Sequence, residues 1–521
     1  MTRKVLVLLF AAGWSGVPVG AGAPTGRSGA VSERAAPAAA ASEGFQGLIP
    51  MAADNAGKLG TYFQTTLWAS QDAVAQATLS LCASTNAHPA APNECRQVLL
   101  PQGQVVTLEN AWQGFPAQPP GGFLWTVTGT TPDQVAVFSR TYTVAPAARP
   151  GTLGQGGPSL LIAQLPAAGT SMFVPAHVRD GFRTNVGMFN ATQQSSSVRV
   201  WIHDGSGDVL GDPNGKVFSL VGYGWMQLDD VFAQLGVPAV TNAYVEVFQQ
   251  TGDSMAVYSS VVDNTSGDPT TFLAKTAYAG PRPLFVPVAA HLPGFNLTSW
   301  VTDLTYLNAS EADQSAAELV YLPQNTDNAA NLPLRKTWTL ASGEQSSFPD
   351  VLSSMFGIAG GKGSFRSVPA DAHLIWARTF NDRGADGTAG QEFPAIFADD
   401  QTIQGSVEGI LIGLSQSAAA DTSIGFRSAI GLLNTGNTAA TFHVELFDDH
   451  GTSLGAFDQG VPAMSVLQID KVYQKVTMNA VANGRAKVTV AQGQGFAYAS
   501  IVDNASGDPT TEYATLIARP Q

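Results

Sequence analysis

The chain has 521 residues, 44% of them hydrophobic, only 13% charged, and a formal net charge of −14. That length is too great for one hydrophobic core, and that apolar content excludes a disordered chain. The acidic balance and the lack of any basic stripe exclude nucleic acid as a partner, because phosphate binding needs concentrated Lys and Arg.

The N-terminus reads as an export signal. A positive "TRK" precedes the apolar "VLVLLFAAGW", and small residues follow, with cleavage expected after Ala21. The apolar stretch is too short to span a bilayer, and no later segment is long and apolar enough to do so. Residues 22–45 form an Ala/Pro/Ser-rich linker without apolar periodicity. The mature chain is therefore expected to be secreted, either extracellular or periplasmic, and at most peripherally attached to a surface.

The two cysteines of the chain, Cys82 and Cys95, are expected to form a disulfide closing the loop "CASTNAHPAAPNEC". In the chain-entropy model such a loop contributes about 3 kcal/mol. The spacing does not match a CxxC redox pair, and His88 alone does not complete a zinc site.

From residue 63 onward one pattern returns four times. Its first line is an aromatic-led alternating strand: "FQTTLWASQ", "FRTNVGMFN", "WVTDLTYLN" and "FRSAIGLLN", starting at 63, 182, 300 and 426. A second alternating strand follows, then a strand running into a polar–apolar turn, then a closing hairpin. Apolar spacing after Asp229, Asp350 and Asp470 predicts one helical turn in each of those copies, capped by the Asp. About seven short strands per roughly 120 residues fits an immunoglobulin-like β-sandwich.

The copies alternate. The first and third share "GTLGQ" (151–155) and "GTAGQ" (387–391). The second and fourth share "VVDNTSGDPTT" and "IVDNASGDPTT", starting at 261 and 501. The expected fold is all-β: four tandem immunoglobulin-like β-sandwich domains in an A-B-A-B duplicated arrangement, each with one short helical turn. The expected domains are 46–165, 170–280, 283–400 and 405–521. In architecture the chain resembles secreted bacterial proteins built of tandem immunoglobulin-like sandwiches. Stiff joints between the domains predict an elongated molecule.

The repeated polar turn has two readings. Asp263, Asn264 and Asp268, with Asp503, Asn504 and Asp508 in the other copy, are oxygen donors of the kind calcium takes, although the spacing is not that of an EF-hand. The same residues also build Asx-turns, with Gly267 and Gly507 supplying positive φ, which makes a structural joint. Arg140, Arg378, Arg183 and Arg427 recur at equivalent strand positions within each type, facing a carboxylate on a ligand or on a neighbouring domain. Trp201 and Trp225, flanking a hairpin of the second copy, are the aromatic candidates for stacking on a sugar.

No G-x-S-x-G, H-E-x-x-H or phosphate-loop motif is present, and "GIAGGKGS" (357–364) lacks the phosphate-loop spacing. The chain is thus read as a non-enzymatic scaffold or adhesion-type binding protein with a protein or cell-envelope partner. The alternative is a carbohydrate-binding accessory protein that uses surface aromatics on a polysaccharide. The sequence does not indicate an oligomeric state.

Overall fold

A computed structural model describes residues 44–518 apart from 145–149, 177–180, 279, 311–313, 332, 370–371, 399–400 and 419–422. The expected signal peptide and nearly all of the expected linker lie outside the described residues. Among the described residues, no helix is long and apolar enough to cross a membrane.

The chain is all-β and forms four sandwiches. In the first, Gly47–Ala52, Gly121–Thr128, Gln76–Ser84 and Arg96–Pro101 pair in that order, opposite a sheet built on Tyr62–Gln71, Val135–Val144 and Thr152–Pro158. The second and fourth repeat one plan. A four-stranded sheet carries Phe182–Asn190, Met255–Asp263 and Pro269–Leu273 in one, and Phe426–Asn434, Gly495–Asp503 and Pro509–Tyr513 in the other. In the third sandwich, Leu284–Pro293 pairs with both Gly361–Ser367 and Ser299–Asn308, so its two layers join into one bent sheet.

The period of two appears where one face is covered. In Ser196–His203, Ser196, Val198, Val200 and Ile202 are buried and the intervening residues are only half-buried. Each sandwich has its own apolar core. Val186, Met188, Val198 and Phe232 lie in the second, and Ile430, Leu432, Phe442 and Tyr473 in the fourth. Other strands are buried along both faces: Met255–Asp263 and Gly495–Asp503 have no exposed residue. Their outward faces lie against a neighbouring sandwich.

Those contacts close the molecule on itself. Leu48, Met51 and Leu124 of the first sandwich pack on Phe189, Trp225 and Tyr258 of the second. Tyr244, Val261 and Phe272 of the second meet Leu307, Leu374 and Trp376 of the third. Phe285, Val288 and Phe393 of the third meet Leu433, Phe496 and Tyr498 of the fourth. Finally Ile410, Ile412 and Ile517 of the fourth pack on Trp68, Val105, Ala136 and Phe138 of the first. The expectation of an elongated molecule is corrected: the four sandwiches form a ring, because the last one returns to the first.

The helical turns are present as Val231–Leu235, Val351–Ser354 and the 3₁₀ turn Val472–Lys475. Their expected capping by Asp is corrected. The residues before them, Asp230, Asp350 and Lys471, have left-handed backbones with φ of 53°, 45° and 49° and make no side-chain cap. The Asp350 carboxylate is held instead by His291, 2.8 Å away, while Asp229 and Asp470 accept from Gln227 and Gln468 at 2.7 and 2.6 Å.

Candidate functional site

Four short strands meet at the middle of the ring: Thr152–Pro158, Pro269–Leu273, Thr388–Glu392 and Pro509–Tyr513. Two come from the A-type sandwiches and carry the GTxGQ sequences. The other two follow the DNxSGDP turns of the B-type sandwiches. The two repeated sequences are thus halves of one joint, made twice.

In the closing joint, Asp503 Oδ2 accepts from the backbone N–H and the hydroxyl of Thr152 at 2.9 and 2.8 Å. Asp503 Oδ1 accepts from its own turn, Ala505 N at 2.8 Å and Ser506 N at 3.3 Å. Asp508 Oδ2 accepts from Gly154 N at 2.9 Å and from Arg140 Nη2 at 2.7 Å. The Ser506 hydroxyl donates to Thr152 O at 2.7 Å. Asn504 Oδ1 accepts from Arg427 Nη1 at 2.7 Å within the fourth sandwich.

The other joint repeats this. Asp263 Oδ2 accepts from Thr388 N and Oγ1 at 2.7 and 3.0 Å, and Asp263 Oδ1 from Thr265 N at 2.8 Å. Asp268 Oδ2 accepts from Gly390 N at 2.8 Å, the Ser266 hydroxyl donates to Thr388 O at 2.7 Å, and Arg183 donates to Asn264. Small residues permit the approach. A Cβ on Gly151 (φ 104°) would stand 2.7 Å from Ser506 N, and one on Gly387 (φ 77°) 2.8 Å from Asp263 Oδ2.

The remaining two contacts around the centre are made by glutamines. Gln155 Oε1 accepts from Thr271 and Ser260 hydroxyls at 2.6 and 3.0 Å. Gln391 Oε1 accepts from Thr511 at 2.5 Å, and its Nε2 donates to Ser500 at 3.0 Å. Every sandwich is thereby tied at the centre to both of its neighbours.

Asp268 and Asp508 are fully buried at the centre and act on each other electrostatically. Their Oδ1 atoms receive no donor from the described protein. Burial, the facing Asp508 carboxylate and the Asp508 hydrogen bond hold Asp268 well above the usual carboxylate range. Asp508 is pushed up by burial to about 6, with the Arg140 guanidinium pulling the other way. Both shifts favour the protonated form, so the pair holds a proton to higher pH than isolated carboxyls do.

The six residues expected as oxygen donors for calcium are all found in these two turns, and N–H and O–H donors occupy most of their side-chain oxygens. Among the described residues, no group of three or more His, Cys, Asp or Glu is placed to hold a metal ion. Cys82 and Cys95 form the disulfide. The two tryptophans are not brought together. Trp225 is 6% exposed and donates from Nε1 to Pro50 O at 2.8 Å, so it is an interface residue and not a surface platform. Trp201 is half-buried on the outer face, its Nε1 3.1 Å from Pro213 O and the Arg199 guanidinium 5.8 Å from its ring centre. Sequence reasoning missed that the GTxGQ strands receive the turns. The signal was their strict alternation with the DNxSGDP copies.

No protein-family model matches the chain, and no curated protein matches it either. Among solved structures, it is similar to the pilus adhesin SpaC from Lactobacillus rhamnosus GG, with 13% identity, a TM-score of 0.12, and coverage of 88% of this chain and 54% of that one. It is also similar to Escherichia coli alpha-2-macroglobulin activated by porcine elastase, with 11% identity, a TM-score of 0.10, and coverage of 92% and 44%. The chain spans about half the length of each.

Proposed function

We propose that the chain is a non-catalytic, exported scaffold whose ring presents outer sheet edges and loops to a protein or cell-envelope partner. One observation carries this reading. The sequences the chain repeats, DNxSGDPTT and GTxGQ, are spent on holding four sandwiches together. Their polar side chains bond one another, so the strongest recurring signal in the chain is accounted for by assembly rather than by turnover of a substrate. A disulfide in the first sandwich supports an oxidising destination.

Co-sedimentation of the purified mature chain with the envelope fraction of its source and with insoluble polysaccharides tests the reading. Retention on envelope that soluble sugars do not compete supports it. Pelleting with neither, or with polysaccharide alone, removes it.

A further inference from the structure

The cleft between the third and fourth sandwiches has the same frame as the cleft between the first and second, yet its charge is different. At equivalent positions, Lys58, Phe63, Pro120 and Asp230 of the first cleft are replaced by Phe295, Trp300, Lys362 and Lys471, while Arg183 and Asp229 keep their types as Arg427 and Asp470. In the first cleft, Lys58, Arg183 and Asp229 line the cavity, and Asp229 and Asp230 both act on Arg183. In the second, Lys362, Arg427 and Lys471 converge on a single lining carboxylate, Asp470.

One carboxylate offsets only part of that charge. Its nearest approach to Lys362 Nζ is 3.8 Å, and its side chain is 72% exposed. Burial lowers the pKa of all three cations, most plainly for Lys362 and Arg427, which sit inside the cleft. The chain has only 26 Lys and Arg against 40 Asp and Glu, so three cations in one cavity, with Asp470 in its lining and Asp503 acting on Arg427 from outside it, are a local reversal of its charge.

The walls add a second property. Trp300 is half-buried in the lining, and Phe295 is 42% exposed at the mouth, with Lys471 Nζ 3.4 Å from its ring centre. The floor holds Gln391, Gln468 and Ser500. The cavity of 260 Å³ is nearly twice the 140 Å³ of its counterpart, and is just below the roughly 300–1,000 Å³ of sites for drug-sized ligands.

We propose that this cleft binds a single carboxylate-bearing sugar unit, a uronate. The guanidinium and ammonium groups take its carboxylate, and the aromatic wall takes its ring face. The proposal concerns a small ligand and stands independently of the envelope partner of the ring.

Isothermal titration of the full mature chain with galacturonate, galactose and inorganic phosphate tests it. Galacturonate binds, galactose shows no measurable heat, and phosphate binds at least about tenfold more weakly, since it gains the ion pairs without the ring contact. Lys471→Asp, which restores the charge at the equivalent position of the other cleft, lowers galacturonate affinity by about tenfold or more without moving Tm, and Lys362→Gln does the same. Absence of galacturonate binding overturns the proposal. So does galactose binding equally well, phosphate matching galacturonate, or affinity that neither variant changes.

Discussion

The two turn joints use the same residues, but only one has a chain connection beside it. The second and third sandwiches are consecutive in sequence, whereas the fourth and first have no peptide link to keep them together. The unlinked joint has the tighter polar clamp. Arg140 stands 2.7 Å from Asp508, where Arg378 stands 3.6 Å from Asp268. The outer contacts also differ in kind: in the linked joint they are neutral, Asn242 bonding Gln345 and Ser347 and Tyr244 donating to Gly343 O, whereas the unlinked joint adds an ion pair. Arg485 Nη1 reaches both oxygens of Asp72 at 2.8 Å, and Trp68 Nε1 donates to Asn483 at 2.9 Å. A joint that must form without a tether bears a larger association cost in entropy, and the additional charge-assisted bonds offset it.

The largest effect is expected from breaking the clamp of the unlinked joint. Asp508→Ala leaves the Arg140 guanidinium, 5% exposed, without its carboxylate, and should destabilise by about 3–5 kcal/mol. Asp268→Ala should cost roughly 1–3 kcal/mol, because both arginines keep their two threonine bonds but Arg378 stands 3.6 Å from the carboxylate it loses. Urea midpoints give the order, and small-angle scattering should show expansion for Asp508→Ala alone. Equal losses would mean that the tether makes no difference.

Titration of the central pair separates its two members. Both carboxyls have folded pKa values above their unfolded ones, so the folded state holds the extra proton. Stability from this pair is full below about pH 4 and falls as pH rises, through about 6 for Asp508, with Asp268 raised in the same direction by burial and the facing carboxylate. Asp268→Asn keeps an acceptor for Gly390 N and a donor for Asp508, with no proton to lose. Its Tm should therefore rise relative to the parent as pH increases from 4 to 8, whereas Asp508→Asn should be destabilised above about pH 6, where the parent carries the anion facing Arg140. A parallel response of the two variants would place the proton elsewhere.

A smaller loss is expected at the outer contact of the closing joint. Asp72→Ala removes both bonds to Arg485, but the Asp72 side chain is 20% exposed and water partly compensates. The expected cost is about 1.5–3 kcal/mol, read as a shift in Tm with no change in the linked joint's response to Asp268→Ala.

Much of this architecture is legible in the residues, but not the closure. Alternation in "VRVWIH" and "FHVELF" gives strands with one wet face, and the four aromatic-led lines give the sandwich count. "MAVYSSVVD" and "GFAYASIVD" lack polar alternation, which marks a strand covered on both sides. Nothing in the pattern says which neighbour covers it, and that is why Trp225 reads as a surface residue when Pro50 of the first sandwich lies over it. Arg140 and Arg378 are recognisable as residues seeking a carboxylate. Their partners lie 368 and 110 residues away, a separation that only the tilt of the sandwiches resolves.

Glycine substitutions compare the two joints at their backbones. Gly151→Ala and Gly387→Ala each place a methyl under 3 Å from the docked turn at positive φ. Each should cost about 1–2 kcal/mol in Tm-derived stability. The loss should be greater at Gly151, because a displaced turn there has no tether to bring it back.

The smallest expected effect is none at all. Calcium and EDTA should leave Tm unchanged, since Asp263, Asn264, Asp503 and Asn504 already receive N–H and O–H donors on the oxygens that would ligate. The two Oδ1 atoms of Asp268 and Asp508 are the exception, and there the raised carboxyl pKa values favour a proton over a metal ion. A calcium-dependent rise in Tm that disappears in Asp268→Asn would show that a metal ion displaces that proton. The closing joint would then be a metal-gated one, and its tighter Arg140–Asp508 contact would be the part of the clamp that the ion leaves in place.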